Sequence, residues 1–383
     1  MTLQSPLEPD TGRRHARDSF NIFVPRHDFN AVIDFEGGLS APHKKEVKEL
    51  YAEVRQYLAE RKMNMALASL DLLIELRQVA PRKKRIRDDG TSAYMHELSQ
   101  AMYLIWLLEN RKSVISWVNK RQGLSRIFSA FTDTNGGKSD DSFLFQTRVP
   151  DREALEMALT LCFNHDSGED LYLTETEFKE RMAPHARHFK SKRAITTLGE
   201  CFELITKRKD QGETMEAYAY RVGLQPLALG DKMVDRMHNL MSLIGSGRSL
   251  EKMADYLGET VMLLGMNSER IKGNGTLSYL EMYLEAQIDL ISLYLDVKQP
   301  RGNNSIILQE QAFEALVKKI EMYTDRYQTA TISYKIHPML GVIRRIVDDP
   351  EISNLLLPRT DLERVPLVLP GSDPVLPAPA PGK

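Results

Sequence analysis

Apolar residues recur at intervals of three and four along most of this chain. Between Lys44 and Val79, the residues Val47, Leu50, Tyr51, Val54, Leu58, Leu67, Leu70, Leu73, Ile74 and Leu76 keep that spacing, which places them on one face of a helix with 3.6 residues per turn. The same signature returns at about 95–118, 152–164, 192–206, 212–221, 229–243, 250–266, 276–297 and 306–328. No stretch alternates with a period of two, no turn-rich β pattern intervenes and no unit repeats at a fixed period. The expected fold class is therefore all-α. With 383 residues, 42% of them hydrophobic, the chain is long enough to bury a sizeable core.

The periodic part is framed by segments without a period. Residues 1–42 are polar with scattered Pro and Gly and read as a flexible N-terminal arm, while 361–383 are rich in Pro and read as a disordered tail. The region 111–150 mixes Gly, Ser and Asp with aromatics and reads as an inserted loop. Charge excludes some partners: 53 acidic against 51 basic side chains leave no global field to attract nucleic acid or an anionic membrane. No run of apolar residues is long enough to span a bilayer, and the first residues lack the apolar core of a secretory signal. Cys162 and Cys201 are too few for a disulfide framework, so a reducing cytoplasm is the expected compartment.

Chemistry is concentrated in NHDSGED, residues 164–170, which follows the apolar run ALEMALTLCF. On a continuing helix His165 and Glu169 are one turn apart, as are Asp166 and Asp170, so four ionisable groups share one corner. Imidazole and carboxylate together suit a divalent cation, with further acids available to move protons. A single His-Asp pair supplies only two ligands, and His27-Asp28 shows that the dipeptide alone means little. Further ligands could come from His96, near the start of an apolar helix, and from LALGDKMVDRMHNLMSLIG, where Asp235, Asn239 and Ser242 form a polar stripe among Leu, Met and Val. A stripe of that kind is either solvated or costly unless satisfied.

Taken together these stretches resemble the HD-domain hydrolases of the RelA/SpoT type, which act on the alarmone (p)ppGpp. Arg87, Gly90, Tyr94 and His96 resemble the family's first segment, with Arg87 nine residues before His96. His165, Asp166, Glu169 and Asp170 are similar to its HDxxED motif, and KMVDRMHNLMSL resembles its third, keeping Lys232, Asp235, Arg236, His238 and Asn239. The approach to that helix is also similar, through Tyr218 or Tyr220, Arg221 and Pro226. The resemblance covers about residues 60–265. It implies an all-helical domain, placed at 43–265, holding one Mn²⁺ through His96, His165, Asp166 and Asp235.

Several consequences follow as expectations. Glu169 and Asp170 would activate water or protonate the leaving oxygen. Arg87 would meet the substrate's negative charge, with Lys83 and Lys84 as further candidates from the basic run, and Asn239 and Ser242 could hydrogen-bond sugar or base. The family's Arg-Thr is replaced here by Met241-Ser242, and Leu171 replaces a Thr, so metal chemistry transfers more directly than guanine specificity. Other nucleotide substrates, such as NADPH or a deoxynucleoside triphosphate, stay open, as does a non-catalytic module that binds a nucleotide or a protein. Residues 266–360 are too few and too helical to resemble the synthetase domain of the bifunctional enzymes. Their two amphipathic helices are expected to pack on the 43–265 domain, with homodimer contacts, or a protein partner at 111–150, as the alternative.

Overall fold

In the computed structural model, residues 28–81, 84–87, 90–109, 151–189, 191–208, 211–299, 305–327 and 337–356 are described. Polar caps open many of its helices. Asp28 caps α1 (Phe29–Phe35), Ser40 caps α2 (Ala41–Glu60), Thr214 caps α9 (Met215–Val222), Ser249 caps α11 (Leu250–Met266) and Asn274 caps α13 (Gly275–Lys298), each accepting a first-turn N–H that has no intrahelical partner. The remaining α-helices are α3 (Asn64–Val79), α4 (Ala93–Glu109), α5 (Asp151–Asn164), α6 (Ser167–Asp170), α7 (Glu175–Met182), α8 (Ala194–Ile205), α10 (Pro226–Leu243), α12 (Ser268–Lys272), α14 (Ser305–Tyr327), α15 (Pro338–Val347) and α16 (Pro350–Leu356). Among the described residues the one β pairing is an isolated antiparallel bridge between Ile86 and Ser92. The fold is all-α, as its periodicity requires. No described helix is long and apolar enough to cross a membrane.

Two expectations are corrected at the N-terminal end. Residues 28–42 are not part of an arm: α1 buries Phe29, Val32 and Ile33, and the Phe29 ring stacks on Tyr51 at 3.9 Å. Seven residues give too few turns for a periodic signal. The run 44–79 is two helices rather than one. Lys62 takes a left-handed φ of 53°, while Met63 N–H donates to Leu58 O and Lys62 N–H to Ala59 O, the double bond pattern that closes a helix C-terminus. The new helix, α3, has no side-chain cap of its own; Glu156 of α5 instead accepts the Met65 N–H at 2.7 Å.

The central element is α10. It packs against α4, α5, α8, α11, α13 and α15, and from Leu227 to Leu243 all its residues are buried except His238 and Asn239, which are half-buried. The 226–243 helix is covered on one side by α13 and α15, and Gln287 of α13 donates to both Met237 O and Pro338 O at 3.1 Å. Residues 275–298 and 338–347 thus share one continuous apolar core with the helices before them. Tyr279, Tyr283, Tyr294 and Tyr323 are buried in it. The proposed insertion at 111–150 and the tail at 361–383 lie outside the described residues.

Candidate metal centre

Two helices and a turn bring the centre together: α4 carries His96, the turn after α5 carries His165 and Asp166, and α10 carries Asp235. The turn is a departure from the single helix expected across NHDSGED. Helix α5 stops at Asn164 and α6 starts at Ser167, because side chains here bind across rather than along the helix. Asn164 donates to Ser69 O and Ser69 Oγ, accepts from Ser167 Oγ, and is itself fully buried. The break turns His165 and Asp166 toward α4 and α10.

The ligand atoms of His96, His165 and Asp166 all lie within 4.8 Å of one another. Asp235 Oδ1 stands 3.2 Å from His96 Nε2 and 3.4 Å from His165 Nε2, and Asp166 Oδ2 stands 3.2 Å from His165 Nε2. The four residues that the sequence pattern singled out therefore converge. His165 Nδ1 is 2.8 Å from Cys162 O, so it carries the hydrogen and leaves the Nε2 lone pair facing the cluster, the usual way a ligating imidazole is oriented. His96 Nδ1 meets His238 Nδ1 at 2.7 Å; with the hydrogen of that contact on His96, its Nε2 is left as an acceptor.

The donor set fits a cation. Positive ends of dipoles and charges already crowd the point where these atoms converge: Gln100 Nε2 lies 2.7 Å from His96 Nε2 and 3.3 Å from Asp235 Oδ1, and Lys232 Nζ lies 3.5 Å from Asp235 and 3.8 Å from Asp166. Burial alone would push the His165 imidazole down, but Asp166 and Asp235 hold it well above its ordinary value. Burial would likewise raise both carboxyls, yet His165 beside Asp166, and Lys232 with His165 beside Asp235, keep both below the usual carboxylate range. Burial, and after it the charge of Arg87, lowers His96. Once a cation displaces the His165 proton, two ionised carboxylates and two imidazole lone pairs surround one point, which is what a borderline divalent ion takes.

The supporting residues divide less simply than expected. Arg87 donates to Asn239 Oδ1 at 2.6 Å and Asn239 Nδ2 donates to Asp235 Oδ1 at 2.7 Å, so both orient a ligand. Ser242 donates to Asn239 O. Lys84 forms an ion pair with Asp170, joining a residue expected to meet substrate to one expected to move protons. Glu169 accepts the Lys207 N–H at 2.9 Å. Lys83 lies outside the described residues. Asp28, half of the second His-Asp pair, caps α1.

The loop that presents Arg87 is fixed from below. Gly90 adopts a φ of 78°, in the left-handed region that favours glycine, and Arg77 of α3, buried, pairs with Glu97 of α4 and donates to Lys84 O. The segment that meets Glu169 is held similarly. Arg221 donates to Glu203 O, Leu204 O and Thr206 O at the end of α8 while pairing with Glu213 at 2.7 Å, satisfying carbonyls that a helix end leaves open.

Sequence reasoning assigned no role to Gln100, Lys232, His238 or Asp231. Gln100 follows His96 by one turn, and Asp231 precedes Asp235 by one turn, so each spacing carried a faint signal. Asp231 is unusual. Neither of its buried carboxylate oxygens makes a hydrogen bond among the described residues, and burial pushes its carboxyl up to about 7. No family model, no curated protein and no solved structure matches this chain.

Proposed function

We propose that the chain is a metal-dependent phosphohydrolase that removes the 3′-pyrophosphate of (p)ppGpp or a related nucleotide, with Mn²⁺ held by His96, His165, Asp166 and Asp235. The observation that supports this most is the convergence of four ligand residues from two helices and a turn, with His165 oriented through Cys162 O so that its Nε2 faces the others. A divalent cation held there supplies Lewis-acid polarisation of a phosphoryl oxygen and eases ionisation of water. Around it Arg87 and Asn239 orient Asp235, and Lys232 balances the two aspartates. Glu169 and Asp170 are the carboxylates nearest in sequence that can take or give a proton, Asp170 with Lys84 as its counter-charge.

A second reading, a binding module without turnover, is favoured by one observation: Glu169 and Asp170 are both engaged, with Lys207 N–H and Lys84. One assay separates the two. Purified protein with Mn²⁺ is offered ppGpp, pppGpp, NADPH and deoxynucleoside triphosphates. Pyrophosphate release from ppGpp that falls at least 100-fold in Asp166→Ala, more than the roughly 10–100-fold of an outer-shell change, supports the hydrolase. Turnover of another member alone reassigns the substrate, and metal binding with no turnover leaves the binding module.

A further inference from the structure

Beside the centre lies a cleft with room for about 240 Å³ of solvent. Its walls include His96 and His238, Ser242, His43 of α2, and two arginines of α15, Arg344 and Arg345. Helix α15 lies about a hundred residues after the last metal-ligand candidate, beyond the stretch over which any motif was recognised. Three observations give its arginines a purpose.

The first is charge. Among the described residues Glu46 is the only carboxylate lining the cleft, and it stands 3.7 Å from His43 Nδ1. The second is placement. Helix α15 buries Met339, Leu340, Val342, Ile343 and Ile346 against the core, so its outward arginines ride on a rigid support. Arg345 is further fixed by a hydrogen bond from its Nη1 to Ile244 O at 2.9 Å, at the end of α10. Arg344 is anchored to Asp348 at 2.7 Å. The third is proximity: Arg345 lines the same cleft as His238 and His96. His238 in turn touches His96.

A planar guanidinium held in place beside a metal centre is suited to bidentate binding of phosphate oxygens. The volume is below the roughly 300–1,000 Å³ of a pocket that engulfs a whole small molecule, and suits one anionic limb of a larger one. We propose that this cleft is a phosphate subsite in which Arg345, assisted by Arg344, binds a phosphate or diphosphate group of the substrate other than the one at the metal centre. That the bound group belongs to a substrate rests on the phosphohydrolase reading; the anion site itself does not.

The test is arranged so that the two can fail separately. Binding of inorganic pyrophosphate is measured by calorimetry on the full chain, with metal removed by chelator and at low salt. Wild-type protein is expected to bind, and Arg345→Gln to bind at least tenfold more weakly. Arg55→Gln, which removes a distant arginine paired with Asp71, should bind within twofold of wild type. If Arg345→Gln fails to fold by circular dichroism, Arg344→Gln reads the same wall, with a loss of at least threefold expected. Absence of pyrophosphate binding to wild type, or unchanged affinity in both arginine variants, overturns the subsite whether or not the protein is a hydrolase. Where turnover is found, Arg345→Gln should raise KM at least tenfold for a nucleotide phosphorylated at both ends, with kcat within about twofold. KM for the analogue carrying only the scissile group should not move, and an equal rise for both would count against the subsite.

Discussion

His337 is the N-cap of α15, and its protonation should unfasten that helix. The side chain is fully buried, its Nδ1 accepts the N–H groups of Met339 and Leu340 at 3.2 Å, and the Trp106 ring packs 5.1 Å away. Burial holds the imidazole at about 3, against about 6.5 for a histidine in an unfolded chain. The unfolded state therefore takes up the proton first. Stability from this group is complete above about pH 6.5 and is lost as pH falls toward 3, at about 1.4 kcal/mol per pH unit. By pH 4.5 the loss, relative to pH well above 6.5, is about 2.7 kcal/mol. His337→Asn keeps a cap acceptor but cannot titrate. Urea denaturation, followed by circular dichroism with chelator present, should show the variant less stable at pH 7.5, by about 1–3 kcal/mol for the lost packing. That gap should close, or reverse, by pH 4.5. Other acid-sensitive groups, Asp166 and Asp235 among them, are common to both proteins and cancel in the difference. Parallel stability curves for the two proteins from pH 7.5 to 4.5 would refute the reasoning.

Three further outcomes are expected. Glu97→Ala leaves the Arg77 guanidinium buried without its carboxylate and should cost about 3–5 kcal/mol in denaturant; a cost under about 1 kcal/mol would mean that the pair adds little. Gly168→Ala puts a Cβ 2.4 Å from Thr206 Oγ1 and 2.8 Å from its Cγ2, so it should cost about 1–3 kcal/mol by overpacking, and Thr206→Ala should restore most of that loss in the double variant. Mn²⁺ at about 100 times its Kd should raise the unfolding free energy by about 2.7 kcal/mol; thermal scans should show the rise reversed by chelator and absent in His165→Ala, whereas an equal rise in that variant would place the ion elsewhere.

The centre and the cleft are linked through few residues. Asn239 ties Arg87 to Asp235, His238 joins His96 to the cleft, and Gln287 clamps the α10 backbone to the start of α15. A change in α15 is thus expected to be felt at α10 first. That order is what makes the His337 and Arg345 variants informative about different things, one about the support and the other about the group it presents.

Much of the fold was legible because helical periodicity is a local property. The expected helix at 250–266 coincides with α11, 276–297 and 306–328 fall within a residue of α13 and α14, and 152–164 differs from α5 by one residue. His96, His165, Asp166 and Asp235 could be picked out as one set because the motifs they sit in, and their order, resemble those of a known family; no local property of the chain joins them. What sequence reasoning missed was set by contacts between distant segments. Helix α2 ends at a lysine in the left-handed region, where glycine is the usual sign, and α1 is too short to show a period. The stripe Asp235–Asn239–Ser242 had two local readings, solvated or satisfied. Burial by α13 and α15, together with partners from Arg87, Gln100 and Lys232, decided for the second. Arg345 reaches the same cleft as His96 from 249 positions further along the chain, and no local spacing encodes such a meeting. The chain's own pattern determined which segments are helices and which side chains could bind a cation; only packing decided which of them face one another, because that depends on how the apolar faces fit together rather than on any one of them.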